Sequence, residues 1–177
     1  RRFVIDEGVA TTTGITASMP MALTLIEAIA GREKAEAVAR DLGLGAWDSR
    51  HASAAFQLTR PMALTIARNT LVFWNREELG IELAAGVDAV SLALVADAWS
   101  RTYRSRAVTF AREKGAQPSR EGIRVVPDRV TASWPERAVV IGDAPPATAL
   151  DQALAEIAML YGSRTAEAVS MQLEYAR

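Results

Sequence analysis

Glu78-Leu79-Gly80-Ile81-Glu82-Leu83 alternates polar and apolar side chains with the period of a short strand, and Ala84-Ala85-Gly86 closes it. In the next stretch Val87, Val90, Leu94, Ala98 and Tyr103 recur at broadly helical spacing, with Asp88 placed as an N-cap. Arg106-Ala107-Val108-Thr109-Phe110-Ala111 then returns to β-prone residues. Strand, helix and strand in succession set the expectation for the whole chain, an alternation of helices and short strands in an α/β or α+β fold.

Toward the N-terminus, Phe3-Val4-Ile5 and Val9 to Thr13 are β-prone runs around Asp6-Glu7-Gly8, which suits a hairpin or a bent strand. Gly14 ends the second run. From Ile15 to Ala30 the residues Met19, Leu23, Ile26 and Ile29 predict a largely buried helix, with Pro20 in its first turn and Gly31 as its stop. Arg32 to Leu42 predicts a second helix with Ala35, Val38, Ala39 and Leu42 on its apolar side, stopped by Gly43 and Gly45. Ala46 to Thr59 reads as irregular or partly helical, and Pro61 to Asn75 as a helix turning Met62, Ile66, Leu71 and Trp74 inward. Toward the C-terminus, Gly122 to Asp128 predicts a strand ended by a turn, and Ala138 to Asp143 a short buried strand. Ala147 to Tyr161, with Leu150, Leu154, Ile157 and Leu160, predicts an amphipathic helix, and Thr165 to Tyr175 another.

The balance of 20 Lys and Arg against 21 Asp and Glu gives a formal net charge of −1, without the basic excess of a nucleic-acid binder, so no direct nucleic-acid partner is expected. The longest apolar run, Ile15 to Ile26, is broken by Thr16, Ser18, Pro20 and Thr24, short of the roughly 18 apolar residues a membrane helix needs. No membrane partner and a cytoplasmic location are expected. The chain has no cysteine and one histidine, which exclude thiolate sites, cysteine nucleophiles and multi-histidine metal sites within it. No metal and no cofactor are expected. The opening Arg1-Arg2-Phe3 lacks an initiator Met and starts at the edge of a regular element, which reads as a fragment or processed product.

Each candidate for chemistry has a plainer reading. His51 follows Asp48-Ser49-Arg50, but three loop neighbours rarely make a catalytic triad, so His51 reads as a surface or capping residue and no catalytic residue is assigned. The carboxylates Asp6, Glu7, Glu77, Glu78, Asp88 and Asp97 include adjacent pairs, whose side chains point to opposite faces of a strand and cannot share a ligand. Thr11-Thr12-Thr13-Gly14 before a helix resembles an anion cradle without the glycines and lysine of a P-loop, and reads as a structural turn. Trp99-Ser100-Arg101-Thr102-Tyr103-Arg104-Ser105-Arg106 interleaves arginines with aromatics and reads as a helix end carrying C-terminal cations rather than a base-stacking patch.

The run Val9-Ala-Thr-Thr-Thr-Gly-Ile-Thr-Ala-Ser-Met-Pro-Met-Ala-Leu-Thr-Leu-Ile-Glu-Ala-Ile-Ala-Gly-Arg-Glu-Lys-Ala35 resembles the C-terminal part of ThiJ/PfpI domains, of the class I glutamine amidotransferase-like superfamily. Leu79 to Val90, and then Tyr103 to Phe110 and Glu121 to Asp128, are similar to the first strands of such a domain. The resemblance implies an α/β fold of incomplete or permuted flavodoxin-like three-layer sandwich type with added helices. Residues 1–75 would be the end of one such domain, and 76–177 a degenerate second region. It also implies that Thr13, Gly14, Ile15 and Thr16 lie beside the ligand pocket. The nucleophile elbow of these enzymes has no counterpart here, so hydrolase, amidotransferase or glyoxalase chemistry would need a cysteine from a longer product. Related domains also serve as sensors of AraC-type transcriptional regulators. A non-catalytic ligand-binding or regulatory module is therefore expected, with a small-molecule ligand and self-association through apolar helices. The alternative is the C-terminal portion of a cysteine-dependent enzyme.

Overall fold

The computed structural model describes residues 3–7, 9–12, 15–45, 47 and 56–175. The chain opens with an antiparallel hairpin of β1 (Phe3–Asp6) and β2 (Val9–Thr12), paired from Phe3 with Thr12 to Asp6 with Val9. A short 3-10 turn, Ile15–Ala17, leads into α1 (Ser18–Ala30) and α2 (Arg32–Leu42). Gly31 and Gly43 end these helices with φ of 84° and 75°, a region where a Cβ is costly. α3 (Arg60–Leu71) starts at Thr59, whose side chain accepts from the Met62 amide, and has Pro61 in its first turn. There follow β3 (Glu77–Glu82), α4 (Ala89–Ser100), β4 (Ser105–Ala111) and the small β5 (Gln117–Pro118) and β6 (Arg124–Val125). The chain ends with β7 (Arg129–Val130), β8 (Ala138–Val139), α5 (Pro146–Tyr161) and α6 (Ser163–Leu173).

The strand–helix–strand reading of 78–111 is the centre of the molecule. β3 and β4 run parallel from Glu77 beside Ser105 to Glu82 beside Phe110, with α4 as their crossover. β7 adds in parallel beyond β4 and β8 in parallel on the other side of β3, giving the order β7-β4-β3-β8. This is the α/β class expected from the sequence, a parallel sheet flanked by helices.

Leu79, Ile81 and Leu83 join Leu94, Val95 and Trp99 of α4 and Leu150, Leu154 and Ile157 of α5 in one core, which continues to Val169 and Leu173 of α6. On the opposite face, Gly80 underlies the Trp134 indole, which stacks on Phe110 with ring centroids 5.3 Å apart. β3 is thus covered on both faces, which is why Leu79, Gly80 and Ile81 are all buried despite the alternating pattern. The N-terminal region is tied to this unit by Met19 in the core and by Asn69 of α3, which donates to Thr102 and Thr165.

Several expected burial patterns differ. Met19 and Leu23 of α1 are buried, but Ile29 is 85% exposed. On α3 the buried residue is Asn69, whereas Leu71 and Trp74, expected inward, are exposed. α3 docks on α6 through a polar contact at Asn69, so the apolar residues beyond it do not mark the inner face. The strand expected at 138–143 pairs only at Ala138 and Val139, and edge placement leaves Ala138 exposed rather than buried. Most of the segment 46–59 lies outside the described residues.

Candidate functional site

Of the four residues expected beside a pocket, Thr13 and Gly14 lie outside the described residues and Ile15 opens the 3-10 turn. Thr16 is buried, and its Oγ1 donates to the Leu173 carbonyl at 2.7 Å and to the Glu174 carbonyl at 3.2 Å. A helix leaves its last carbonyls without intrahelical partners, so Thr16 satisfies the C-terminal end of α6. Tyr175, just beyond α6, donates to the Ala147 carbonyl in the first turn of α5. Because α5 follows β8, this end of the helical layer is the end toward which the strands point. His51, with Asp48, Ser49 and Arg50, lies outside the described residues.

The carboxylates singled out from the sequence hold structure. Glu77 accepts from the Tyr161 hydroxyl, while its neighbour Glu78 pairs with Arg129, so the two serve opposite faces as a strand requires. Asp97 pairs with Arg101 one turn on, at 2.8 Å. Asp88 caps α4, accepting from the Ser91 amide at 2.6 Å, and pairs with Arg120. Glu121 completes that N-terminus by accepting from the Ala89 amide at 3.0 Å. Slight burial pulls the Glu121 carboxyl upward, but the Ala89 and Glu121 amides, the Ser119 hydroxyl and the Arg120 charge outweigh it and hold it below its usual range. Among the described residues no group of His, Asp and Glu side chains is placed to hold a metal ion.

The arginine-aromatic stretch divides in space. Trp99 is fully buried, edge-to-face with Tyr161 at 6.0 Å, and is not available to stack a base. Tyr103 donates to the Gln172 side chain and Arg101 is paired with Asp97, as a helix end would have it. Arg104 stands apart, its guanidinium over the Tyr161 ring at 5.5 Å.

Depressions lie at both ends of the central strands. At the carboxyl ends of β3 and β4, a crevice of about 290 Å³ is lined by Glu82, Leu83, Ala111, Arg112, Glu113 and Gln117, with Arg112 donating to Glu82 at 3.2 Å. Nearby, where β8 sits across from β4 on β3, the cavity beside Ile141 and Gly142 measures about 40 Å³, room for a water-sized guest. At the amino ends lies a larger cleft of about 700 Å³ between α3 and the turn that joins α5 to α6. Arg104, whose carbonyl accepts from the Glu77 amide, and Tyr161 stand at its inner end, and Arg60, Arg68 and Arg164 also line it. An apolar hollow of about 450 Å³ between α3 and the α5–α6 pair is lined by Met62, Leu154, Ala158, Ala166 and Met171.

The comparisons with known proteins can be set beside this geometry. No family model and no curated protein matches the chain. Among solved structures it is similar to oxidized DJ-1 of Toxoplasma gondii, with 12% identity, a TM-score of 0.49, and coverage of 56% of this chain and 99% of that one. It is also similar to an AraC family transcriptional regulator from Pseudomonas putida, with 11% identity, a TM-score of 0.44, and coverage of 53% and 97%. At these values the likeness carries no argument about ligand or activity.

The arginines of the amino-end cleft were not singled out from the sequence as a group. One signal was there: Arg60, Leu64 and Arg68 recur at intervals of four on α3, one face of a helix, with no acidic residue in the first turn. Their convergence with Arg104 and Arg164 depends on packing between distant elements.

Proposed function

We propose that this chain is a non-catalytic, ThiJ/PfpI-like ligand-binding or regulatory module. The observation that supports this reading is the crevice at the carboxyl ends of β3 and β4, the end of the strands at which open parallel α/β sheets hold their ligands. Among the described residues it is lined by carboxylates, a guanidinium and an amide, which can orient a small polar ligand, and by no hydroxyl, thiol or imidazole that could serve as an activated nucleophile. In the same reading Thr13, Gly14, Ile15 and Thr16 contribute to ligand binding. Self-association through apolar helix faces is part of the proposal, with Leu25 and Ile29 of α1 exposed for it.

The test is native mass spectrometry of the purified chain with a panel of small carboxylates and amides, alongside amidase, esterase and glyoxalase assays. A saturable complex lost in Arg112→Ala, without turnover, is the expected result, and Ser49→Ala and His51→Ala should bind as the parent does. Turnover by the purified cysteine-free chain, lost in either of those two variants, would sink the reading.

A further inference from the structure

The amino-end cleft has an unbalanced charge. Arg60, Arg68, Arg104 and Arg164 all line it, and among the described residues no carboxylate forms an ion pair with any of the four. Glu77, whose amide donates to the Arg104 carbonyl, has its carboxylate held by the Tyr161 hydroxyl. The Nε of Arg104 is buried and, among the described residues, has no hydrogen-bond partner, so the Tyr161 ring face is left to offset its desolvation.

The helix ends add to the imbalance. The N-terminal turns of helices favour acidic residues, because free amides and the positive end of the dipole meet there. α4 follows that rule, with Asp88 and Glu121 on its first amides. α6 does the opposite. It has no side-chain cap and no acid in its first turn, and Arg164 stands there, at the cleft. α3 likewise begins with Arg60 and no acid.

From this we infer that the cleft is a binding site for a small, multiply charged oxyanion, an organic phosphate or polycarboxylate. Guanidinium forks match both phosphate and carboxylate oxygens, and several acting together select more than one negative charge. The free amides at the start of α6 are placed to receive an anionic oxygen. Leu64, Pro61 and the Tyr161 ring offer apolar surface for an organic body, and about 700 Å³ is ligand-sized. The site lies at the opposite end of the strands from the crevice of the proposed function and stands or falls apart from it.

The test is thermal unfolding of the whole chain titrated with sodium pyrophosphate, and separately with sodium citrate, at constant ionic strength set by sodium chloride. A saturable rise in the midpoint is expected with at least one of them. A response to pyrophosphate alone assigns a phosphate ligand, and to citrate alone a polycarboxylate. Arg104→Gln and Arg164→Gln should each weaken the apparent affinity about tenfold or more, while Arg40→Gln, remote on α2, leaves it unchanged. Arg68 and Arg164 are exposed, so Arg68→Gln provides a second variant that leaves the core untouched if Arg104→Gln fails to fold. Without added anion, Arg164→Gln should be at least as stable as the parent, since it removes a cation from a helix N-terminus. A rise that does not saturate, or that persists equally in the variants, is a general salt effect and overturns the site. Destabilisation by Arg164→Gln without anion would give that arginine a structural role and overturn it too. Arginine-dependent retention of single-stranded DNA with no response to either small anion would replace it with a nucleic-acid site.

Discussion

Gly80→Ala should destabilise the fold through a single contact. A Cβ built on Gly80 meets the Trp134 indole, 2.5 Å from Cδ2 and 2.8 Å from Cδ1, with Cγ nearer still. Ordinary carbon contacts lie near 3.5–4.0 Å, so the ring must move by about 1 Å or swing away. Three interactions hold it in place. Its Nε1 donates to the Glu78 carbonyl at 3.1 Å, it stacks on Phe110, and Arg129 lies over it at 5.2 Å. By general magnitudes these contribute about 1 kcal/mol for the hydrogen bond and roughly 0.5–1.5 kcal/mol each for the ring contacts. The better strand propensity of Ala offsets about 0.5–1 kcal/mol, leaving a net loss of about 1–3 kcal/mol. The assay is guanidinium unfolding followed by far-ultraviolet circular dichroism, run as a double-mutant cycle with Trp134→Ala. In the Trp134→Ala background the clash is gone, and Gly80→Ala should be neutral or stabilising by up to about 1 kcal/mol. An equal effect of Gly80→Ala in both backgrounds would refute the reasoning.

Thr16→Val removes the hydroxyl that holds the Leu173 and Glu174 carbonyls while keeping the side-chain volume, and should cost about 1–3 kcal/mol, read as a lower thermal midpoint. Hydrogen exchange should show the loss concentrated at the C-terminal end of α6, and uniform loosening would argue against Thr16 as its anchor. Asp88→Ala removes the N-cap of α4 and leaves Arg120 without that carboxylate, so it should cost about 1–2 kcal/mol in the same assay, whereas Asp88→Asn, which keeps an acceptor for the Ser91 amide, should recover most of it.

The hairpin at the N-terminus, the glycine stops after α1 and α2, and the α4 cap at Asp88 could all be read from the sequence. Each is decided by residues within a few positions of one another, through turn chemistry, positive φ and side-chain capping. α5 was legible for the same reason, since Leu150, Leu154 and Ile157 recur on one face and are buried, although Leu160, read with them, is exposed. The sequence also carried the strand–helix–strand unit at the centre of the sheet. It carried the lack of any thiol in this chain as well.

What only the tertiary structure decided is where those elements meet. The placement of β8 beside β3 rather than beyond β7 sets the sheet order and leaves Ala138 at an edge, although the run at 138–143 reads as buried. Asn69 is buried, and Leu71 and Trp74 are not, because α3 meets α6 through the Asn69 hydrogen bond to Thr165 and meets the turn after α4 through its bond to Thr102. The arginines of the cleft come from α3, from the turn before β4 and from α6, and their charges converge only once those elements are packed. Periodicity records which face of one element avoids water. It does not record which surface covers that face, and charges far apart in the chain become neighbours through long-range packing alone.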